Sequence, residues 1–144
     1  MEVNYKPKGW QTVIPYFLVE DCSAMIDFLV KTFNADVIEK MTMPDGKINH
    51  AEVRIGDSVV MMGFPQEEHR LSKVMLYVYV QDVDAVFNRA IEAGGISVRD
   101  PQDMFYGDRS GGVKDPFGNE WWISTHIEDL STDEIQKRAA SLGK

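Results

Sequence analysis

Residues 19–37, VEDCSAMIDFLVKTFNADV, and residues 80–98, VQDVDAVFNRAIEAGGISV, carry the same pattern 61 positions apart. Each stretch begins where an apolar run ends, places an Asp two residues on, and continues with apolar residues at helical spacing. Each then reaches a residue that ends helices, Asn34 or Gly95, and a new apolar run. The same offset of 61 residues aligns four features: the end of a strand, a helix cap, the end of the helix and the next strand. This agreement predicts a duplicated module.

The first copy is predicted as a β-α-β-β-β module over residues 12–64. Its helix is capped by Asp21 or Ser23 and ends at Asn34, which suits the left-handed conformation. Pro44-Asp45-Gly46 predicts a turn, because Pro presets φ and Gly accepts positive φ. The predicted strands are residues 12–19, 36–43, 48–55 and 58–64.

The second copy is predicted over residues 74–127, after a polar linker at 65–73. Its helix, 83–93, ends at Gly94-Gly95, and a loop is expected at 103–112. Asp115-Pro-x-Gly118 predicts a turn, and strands are expected at 74–80, 96–99, just before that turn, and 120–127. Ser131 and Glu134 form a capping box that opens a C-terminal helix over 131–142. Together these parts are expected to form a single domain, 1–144.

The composition indicates a globular protein with no nucleic-acid partner. Of 144 residues, 44% are apolar and 26% charged, and the formal net charge is −8. Nucleic-acid binding needs clustered Lys and Arg, whereas the acidic balance fits either a cationic ligand or solubility alone. The single cysteine, Cys22, excludes an internal disulfide and is expected to be buried. No apolar run approaches about 18 residues and no signal peptide is evident, so no membrane contact and a cytoplasmic location are expected.

Four segments of the chain carry a family resemblance: IPYFLVEDCSAMIDFLVKTFNA, MPDGKINHAEVRIGDSVVMM, DMFYGDRSGGVKDPFGNEWW and THIEDLSTDEIQKRAA. With them the chain resembles the vicinal oxygen chelate superfamily, which includes glyoxalase I, extradiol dioxygenases and bleomycin-resistance proteins, and within it the PhnB-like branch. It implies an α+β fold in which two β-α-β-β-β modules form curled mixed sheets around a cavity. It also implies a small-molecule ligand and a homodimer.

Metal-dependent members of that superfamily bind a divalent metal at four inward positions. Counted from the Val-x-Asp and Asp-Pro-x-Gly anchors, these positions fall on Ile14, Met61, Met75 and Trp122. None is a ligand that Zn²⁺, Fe²⁺ or Mn²⁺ prefers. The resemblance therefore implies a member without a metal cofactor.

Strand alternation predicts the residues that line the cavity. On the first strand Val13, Phe17 and Val19 are expected to pack on the helix. The expected inward set is aromatic and thioether-rich, which suits a flat or partly apolar organic ligand: Tyr16, Met61, Met75, Tyr77, Tyr79 and Trp122. The alternative is that these side chains fill a closed core. The phenol hydroxyls favour the pocket, because each buried hydroxyl needs a partner.

His50 and Glu52 alternate onto one face of the segment INHAEVRIG. They are candidate catalytic residues, with Glu52 orienting the imidazole for acid–base work. The alternatives are a solvated sheet face with cross-strand ion pairs, or two ligands of an unconventional metal site.

Arg109 lies in the glycine-rich segment FYGDRSGG, residues 105–112. A guanidinium there is a candidate anchor for a ligand carboxylate or phosphate. The alternative is a local turn in which Asp108 and Arg109 bond each other.

Three functions follow from these patterns. The first is a metal-free protein that binds a small organic molecule in an aromatic and methionine-lined cavity. The second is a glyoxalase-like lyase or isomerase that uses His50 and Glu52, with or without a divalent metal. The third is a closed-cored interaction protein whose C-terminal helix contacts a partner.

Overall fold

The computed structural model describes residues 3–65 and 72–142. The chain divides into two compact units, Met1–Val74 and Met75–Lys144, called unit 1 and unit 2 below. Most of the predicted linker, 65–73, lies outside the described residues.

Unit 1 is a four-stranded mixed sheet with one helix. Its elements are β1 (Tyr16–Leu18), α1 (Cys22–Phe33), β2 (Asp36–Thr42), β3 (Ile48–Ile55) and β4 (Ser58–Gly63). The strand order is β1-β4-β3-β2, in which β1 runs parallel to β4 and the other neighbours are antiparallel. This is the predicted β-α-β-β-β order.

The helix α1 begins and ends as its sequence predicts. The side chain of Asp21, not that of Ser23, accepts a hydrogen bond from the Ala24 amide at 3.0 Å. The helix ends at Asn34, which has the left-handed φ of 54°. Its buried side chains, Met25 and Leu29 among them, pack on the sheet and form the core of unit 1.

Unit 2 repeats this architecture and adds a helix. Its elements are β5 (Met75–Tyr79), α2 (Val83–Glu92), β6 (Ile96–Asp103), β7 (Asp108–Lys114), β8 (Glu120–His126) and α3 (Thr132–Leu142). The strand order is β5-β8-β7-β6, with β5 parallel to β8. The side chain of Asp82 caps α2 by accepting from the Ala85 amide at 3.2 Å, as Asp21 does in unit 1.

Strand register shows that the 61-residue shift is also a structural equivalence. Tyr16 pairs with Met61 across β1 and β4, and Tyr77 pairs with Trp122 across β5 and β8. Both members of the second pair lie 61 positions after those of the first. The duplication therefore extends to which side chains are neighbours in each sheet.

The first strand is shorter than predicted. The run 12–19 was expected to be extended, yet β1 covers only Tyr16–Leu18. Pro15 has no amide hydrogen to continue a ladder, although its carbonyl accepts from the Met61 amide at 2.9 Å. Val13, expected to pack on the helix side, is 80% exposed because it precedes the strand.

From Asp108 on, the glycine-rich segment is a strand rather than part of the predicted loop. β6 and β7 form a hairpin whose turn is closed by the Met104 amide donating to the Asp108 carbonyl at 2.7 Å. Glycine is rare in strands, which explains the prediction of a loop. Here Gly111 and Gly112 are required, since a Cβ at either would meet neighbouring atoms at 2.8–3.0 Å.

The Asp115 turn fixes the first of the two adjacent tryptophans. The Asp115 carboxylate accepts from the amides of Phe117 and Asn119 and from the indole of Trp121 at 3.0 Å. Trp121 is buried against α2's side of the sheet. Alternation then places Trp122 on the opposite face.

The C-terminal helix α3 is attached by polar contacts. Ser131 accepts from the Glu134 amide at 3.1 Å, as the capping box predicts. Arg138 binds Glu128 through both terminal nitrogens, at 3.0 and 3.2 Å, and no residue of α3 is buried. Among residues 3–65 and 72–142, no helix has the length and apolar character to cross a membrane.

Candidate ligand-binding site

Each sheet buries one face under its helix, and we call the other face the open face. Phe17 and Met62 are buried on the helix side of unit 1, as Trp121 and Ile123 are in unit 2. Side chains of directly paired residues point to the same face. The open faces therefore carry the predicted ligand-binding residues: Tyr16 and Met61 in unit 1, and Met75, Tyr77, Tyr79 and Trp122 in unit 2.

The open face of unit 1 holds a chain of three hydrogen-bonded side chains. The Tyr16 hydroxyl lies 3.1 Å from Nδ1 of His50, and Nε2 of His50 lies 3.1 Å from Oε2 of Glu52. The Glu52 carboxylate only accepts, so Nε2 carries a hydrogen, and in the neutral imidazole Nδ1 accepts from the phenol. Glu52 thus orients the imidazole, and Tyr16 is the outermost member of the chain.

A glycine makes room for this chain. Gly63 is the direct partner of His50 on β4, and a Cβ there would lie 2.5 Å from the Tyr16 hydroxyl oxygen. Burial, with smaller contributions from Cys22 and Glu52, raises the pKa of Tyr16 above its ordinary value. The phenol therefore stays protonated at neutral pH and donates to His50.

A row of paired residues crosses the open face of unit 2. Tyr77 on β5 pairs with Trp122 on β8, which pairs with Gly112 on β7, which pairs with Arg99 on β6. The Trp122 ring lies over Gly112, where a Cβ would be 2.8 Å from ring carbons. The Arg99 guanidinium carbon sits 4.8 Å from the Trp122 ring centroid.

Beside this row, a buried carboxylate contacts three polar side chains. Oδ2 of Asp108 accepts from the hydroxyls of Tyr77 at 2.6 Å and Tyr79 at 2.9 Å, and Oδ1 lies 2.8 Å from Nδ1 of His126. Tyr106 completes the cluster, with its hydroxyl 3.3 Å from that of Tyr77. Asp108 is only 3% exposed, so these partners replace the water that its charge has lost.

The hydrogen bonds set the charge of this cluster. Burial raises the pKa of Asp108, but the bonds from Tyr77, His126 and Tyr79 outweigh it and hold that pKa below its ordinary value. Burial and the bond to Asp108 raise the pKa of Tyr77, and the bond to Asp108 followed by burial raises that of Tyr79. Asp108 is therefore an anion bonded to two neutral phenols.

His126 lies between two carboxylates. Besides Asp108 on Nδ1, it has Oδ1 of Asp129 at 2.7 Å from Nε2. Both ring nitrogens then donate, which requires the imidazolium form. The bonds to Asp108 and Asp129 raise the pKa of His126 above 6.5.

Arg109 points to the helix side of the sheet. It follows Asp108 on β7, so alternation directs it away from the open face. Its Nε and Nη2 bind the carboxylate of Asp84 on α2, both at 3.0 Å, and Nη1 binds Asp103 at 3.1 Å. The predicted local bond between Asp108 and Arg109 is replaced by these contacts, which occupy the guanidinium.

The structure places the four positions at which the resemblance implies metal ligands in metal-dependent members. Ile14 precedes β1, Met61 lies in β4, Met75 begins β5 at 68% exposure, and Trp122 lies under Arg99. Within the described parts of the chain, no group of three or more His, Cys, Asp or Glu side chains is placed to hold a metal ion.

Sequence reasoning gave no binding role to three residues of unit 2. Asp108 was considered only as part of a local turn with Arg109, and no role was predicted for Arg99 or His126. The signal that could have found Asp108 is strand alternation, since in a strand Asp108, Ser110 and Gly112 point to the same face. It was not applied because the segment was predicted to be a loop.

These two units have the architecture of the glyoxalase and bleomycin-resistance fold. The family sequence model of the Glyoxalase/Bleomycin resistance protein/Dioxygenase superfamily matches residues 13–123 of this chain. The chain therefore belongs to that superfamily.

Three similar proteins place the chain among its relatives. An uncharacterized protein of Mycobacterium bovis is 34% identical over 99% of both chains. The crystal structure of TioX from Micromonospora sp. ML1 is 26% identical over 84% of this chain and 100% of that chain, with a TM-score of 0.66. A PhnB protein from Bacillus cereus, described as a putative 3-demethylubiquinone-9 3-methyltransferase, shares the fold at a TM-score of 0.66. It is 16% identical and covers 80% of this chain and 99% of that chain.

Proposed function

We propose that this protein binds a small organic molecule on its open faces without using a metal. The observation that carries the proposal is the pair Tyr77 and Tyr79, which remain 46% and 62% exposed although both hydroxyls are bonded to the buried Asp108. Their rings are thus held in fixed positions by an internal anion and still present their faces. Fixed aromatic surface binds planar ligands at a low entropic cost.

The remaining predicted residues fit the same role. Met75 and Tyr77 alternate on β5, and Tyr16 and Met61 are paired neighbours on the open face of unit 1. Thioethers adapt to ligands of different shape, and phenols add polar handles. Arg109 is left out of the proposed site, because its guanidinium is bonded to two carboxylates on the helix side.

A neutral fluorescent dye such as N-phenyl-1-naphthylamine tests the aromatic surface. We expect its emission to rise with the wild type and to fall in Tyr77→Ala/Tyr79→Ala. The control is Tyr5→Ala, which removes a tyrosine that is 96% exposed near the N-terminus. Equal dye binding by all three proteins would exclude the proposed surface.

Metal analysis tests the second half of the proposal. Protein purified without chelators is expected to contain no stoichiometric transition metal. A metal present at one equivalent and lost on substituting His50 or Glu52 would contradict it.

The hydrogen-bonded chain Tyr16–His50–Glu52 favours a second candidate, a glyoxalase-like lyase or isomerase. In this candidate Glu52 orients His50, and Nδ1 of His50 exchanges a proton with a substrate that takes the place of the Tyr16 hydroxyl. Turnover of methylglyoxal–thiol adducts that is abolished by His50→Ala would support it. His126→Ala is the matched control, since it removes a histidine from unit 2 instead.

We further propose that the protein is a homodimer, as the superfamily resemblance implies, and that it is located in the cytoplasm. Light scattering on the purified protein measures the assembly. A monomer at all accessible concentrations would contradict this part of the proposal and leave the aromatic surface to be judged by dye binding.

A further inference from the structure

Arg99 is fixed in place by two contacts on the open face of unit 2. Its guanidinium is stacked over the ring of Trp122 at 4.8 Å, and its Nη2 donates to the Ser110 carbonyl at 2.8 Å. Both contacts hold the position of the group, and neither supplies a negative charge. A guanidinium keeps its charge at any physiological pH.

Arg99 differs in this respect from the arginines that anchor helices in unit 2. Arg109 binds Asp84 and Asp103, and Arg138 binds Glu128 and Glu134. Across residues 3–65 and 72–142, no carboxylate lies within 4.0 Å of the Arg99 nitrogens, and its Nη1 makes no hydrogen bond. Its Nε is buried without an acceptor. Arg99 is half-buried, and a buried N–H without an acceptor is costly, so this unpaired Nε needs a reason.

The carboxylates near this row have other partners. Glu120 accepts from the Trp122 indole at 3.1 Å, and Asp108 accepts from the two phenols and His126. Asp100, next to Arg99 in the chain, accepts from Ser97 at 2.7 Å. None of these carboxylates pairs with Arg99, so an added anion can neutralise its charge, although the whole chain has a net charge of −8.

The sheet itself creates this arrangement. Gly112 has no side chain, so the Trp122 ring can lie across β7 toward β6 and meet Arg99. The ring supports one face of the guanidinium, and Tyr77 stands at the other end of the same row. The Trp122 ring beside the planar fork of Arg99 suits a ligand with an aromatic body and an anionic group. Tyr77 lies three strand spacings, or about 14 Å, from Arg99 and is within reach of a longer ligand only.

We infer that Arg99, stacked on Trp122, is the anchor for a carboxylate or phosphate group, and that the ligand of unit 2 is an organic anion. This inference rests on the proposed binding function and assigns its ligand class. It moves the anchor that the sequence placed at Arg109 to a residue ten positions earlier. A charge-assisted contact of this kind strengthens binding by about tenfold to a hundredfold.

Three probes of nearly equal shape separate charge from aromatic contact: benzoate, phenylphosphonate and neutral benzamide. Binding is followed by NMR at the Arg99 Nε–H and the Trp122 indole N–H. We expect both anions to shift these resonances and to bind at least about tenfold more tightly than benzamide. Added salt is expected to weaken the binding of the two anions and to leave the binding of benzamide unchanged.

Variants compare the two candidate arginines directly. Arg99→Gln is expected to reduce benzoate binding to the level of benzamide, and Arg99→Lys to weaken it less, because Lys keeps the charge and loses the fork. Arg109→Gln is the matched comparison and is expected to bind benzoate as the wild type does. If Arg99→Gln does not fold, comparing benzoate binding by Arg99→Lys and by Arg109→Gln still shows which arginine is the anchor.

Two results would overturn the inference. One is equal affinity for benzoate and benzamide, or no shift at Arg99 with any probe. The other is loss of benzoate binding in Arg109→Gln with retention in Arg99→Lys at the wild-type level. Failure of the proposed function would look different: dye binding would be unchanged in Tyr77→Ala/Tyr79→Ala while benzoate still bound at Arg99, which would support the anchor and deny the aromatic surface.

Discussion

The hydroxyl of Tyr77 donates a 2.6 Å hydrogen bond to the carboxylate of Asp108, although a whole strand, β8, lies between them in the sheet. The phenol can reach across because the residue beneath its path on β8 is Ser124, whose hydroxyl lies fully buried and bonded to Ser110 at 2.9 Å. Two small side chains thus let a side chain of the edge strand bond to β7. This contact ties the open face of unit 2 together.

Asp108→Asn is expected to lower the free energy of unfolding by about 2–3 kcal/mol, because both phenols lose an ionised acceptor in a buried site. Urea unfolding at neutral pH measures it. Asp129→Asn is the control, since it removes the other carboxylate bonded to His126 from a fully exposed position and should leave stability unchanged within error. Equal effects of the two substitutions would show that burial of Asp108 is unimportant.

His126 is expected to stabilise the fold more at acidic than at alkaline pH. Its folded-state pKa is raised above the ordinary 6.5, so its contribution is fully present below that value and is lost as the pH rises through the folded pKa. The stability difference between wild type and His126→Gln should therefore shrink as the pH rises above 6.5 and through the raised folded-state pKa. A difference that stays constant over this range would argue against the imidazolium bridge.

Gly112→Ala is expected to displace the Trp122 ring and to cost about 1–3 kcal/mol, since the new Cβ would lie 2.8 Å from ring carbons. NMR would detect the displacement as a loss of the ring-current shift that Trp122 imposes on the Arg99 protons. The same substitution made in Trp122→Ala should cost much less, because the obstructing ring is gone. Equal costs in both backgrounds would mean that the strain arises elsewhere.

Gly63→Ala is expected to break the Tyr16–His50 hydrogen bond, because its Cβ would lie 2.5 Å from the phenol oxygen. The ¹⁵N shifts of the His50 ring should change as Nδ1 loses its donor. Tyr16→Phe should produce the same change without a steric clash. A His50 spectrum that differs between these variants would indicate that Gly63 acts on more than the phenol.

Arg138→Gln is expected to loosen α3 without unfolding the sheet. The helix has no buried residue, and Arg138 joins it to Glu128 and to the Phe105 carbonyl at 3.4 Å. Amide exchange in residues 132–142 should speed up by about two- to fivefold, with global unfolding unchanged. Lys137→Gln, which removes a neighbouring exposed charge, is the control and should not change exchange.

Local chemistry explains which parts of the fold were predictable. Asp21 and Asp82 cap helices, and Asn34 ends one, because capping depends on a few adjacent backbone groups. The hairpin of β6 and β7 was mispredicted because glycine in a strand is favourable only when a neighbour needs the space. At Gly112 that neighbour is Trp122, ten residues later in the chain.

The sequence alone determined the duplicated β-α-β-β-β architecture, the helix boundaries and the face of each strand on which Tyr16, Tyr77, Tyr79 and Trp122 lie. It could do so because periodicity and capping act over a few residues. Only the tertiary structure decided which polar groups meet: Asp108 with Tyr77, and Arg99 with Trp122 rather than with a carboxylate. These meetings depend on strand order and register, which bring together residues far apart in the chain and turn Arg109 to the opposite face.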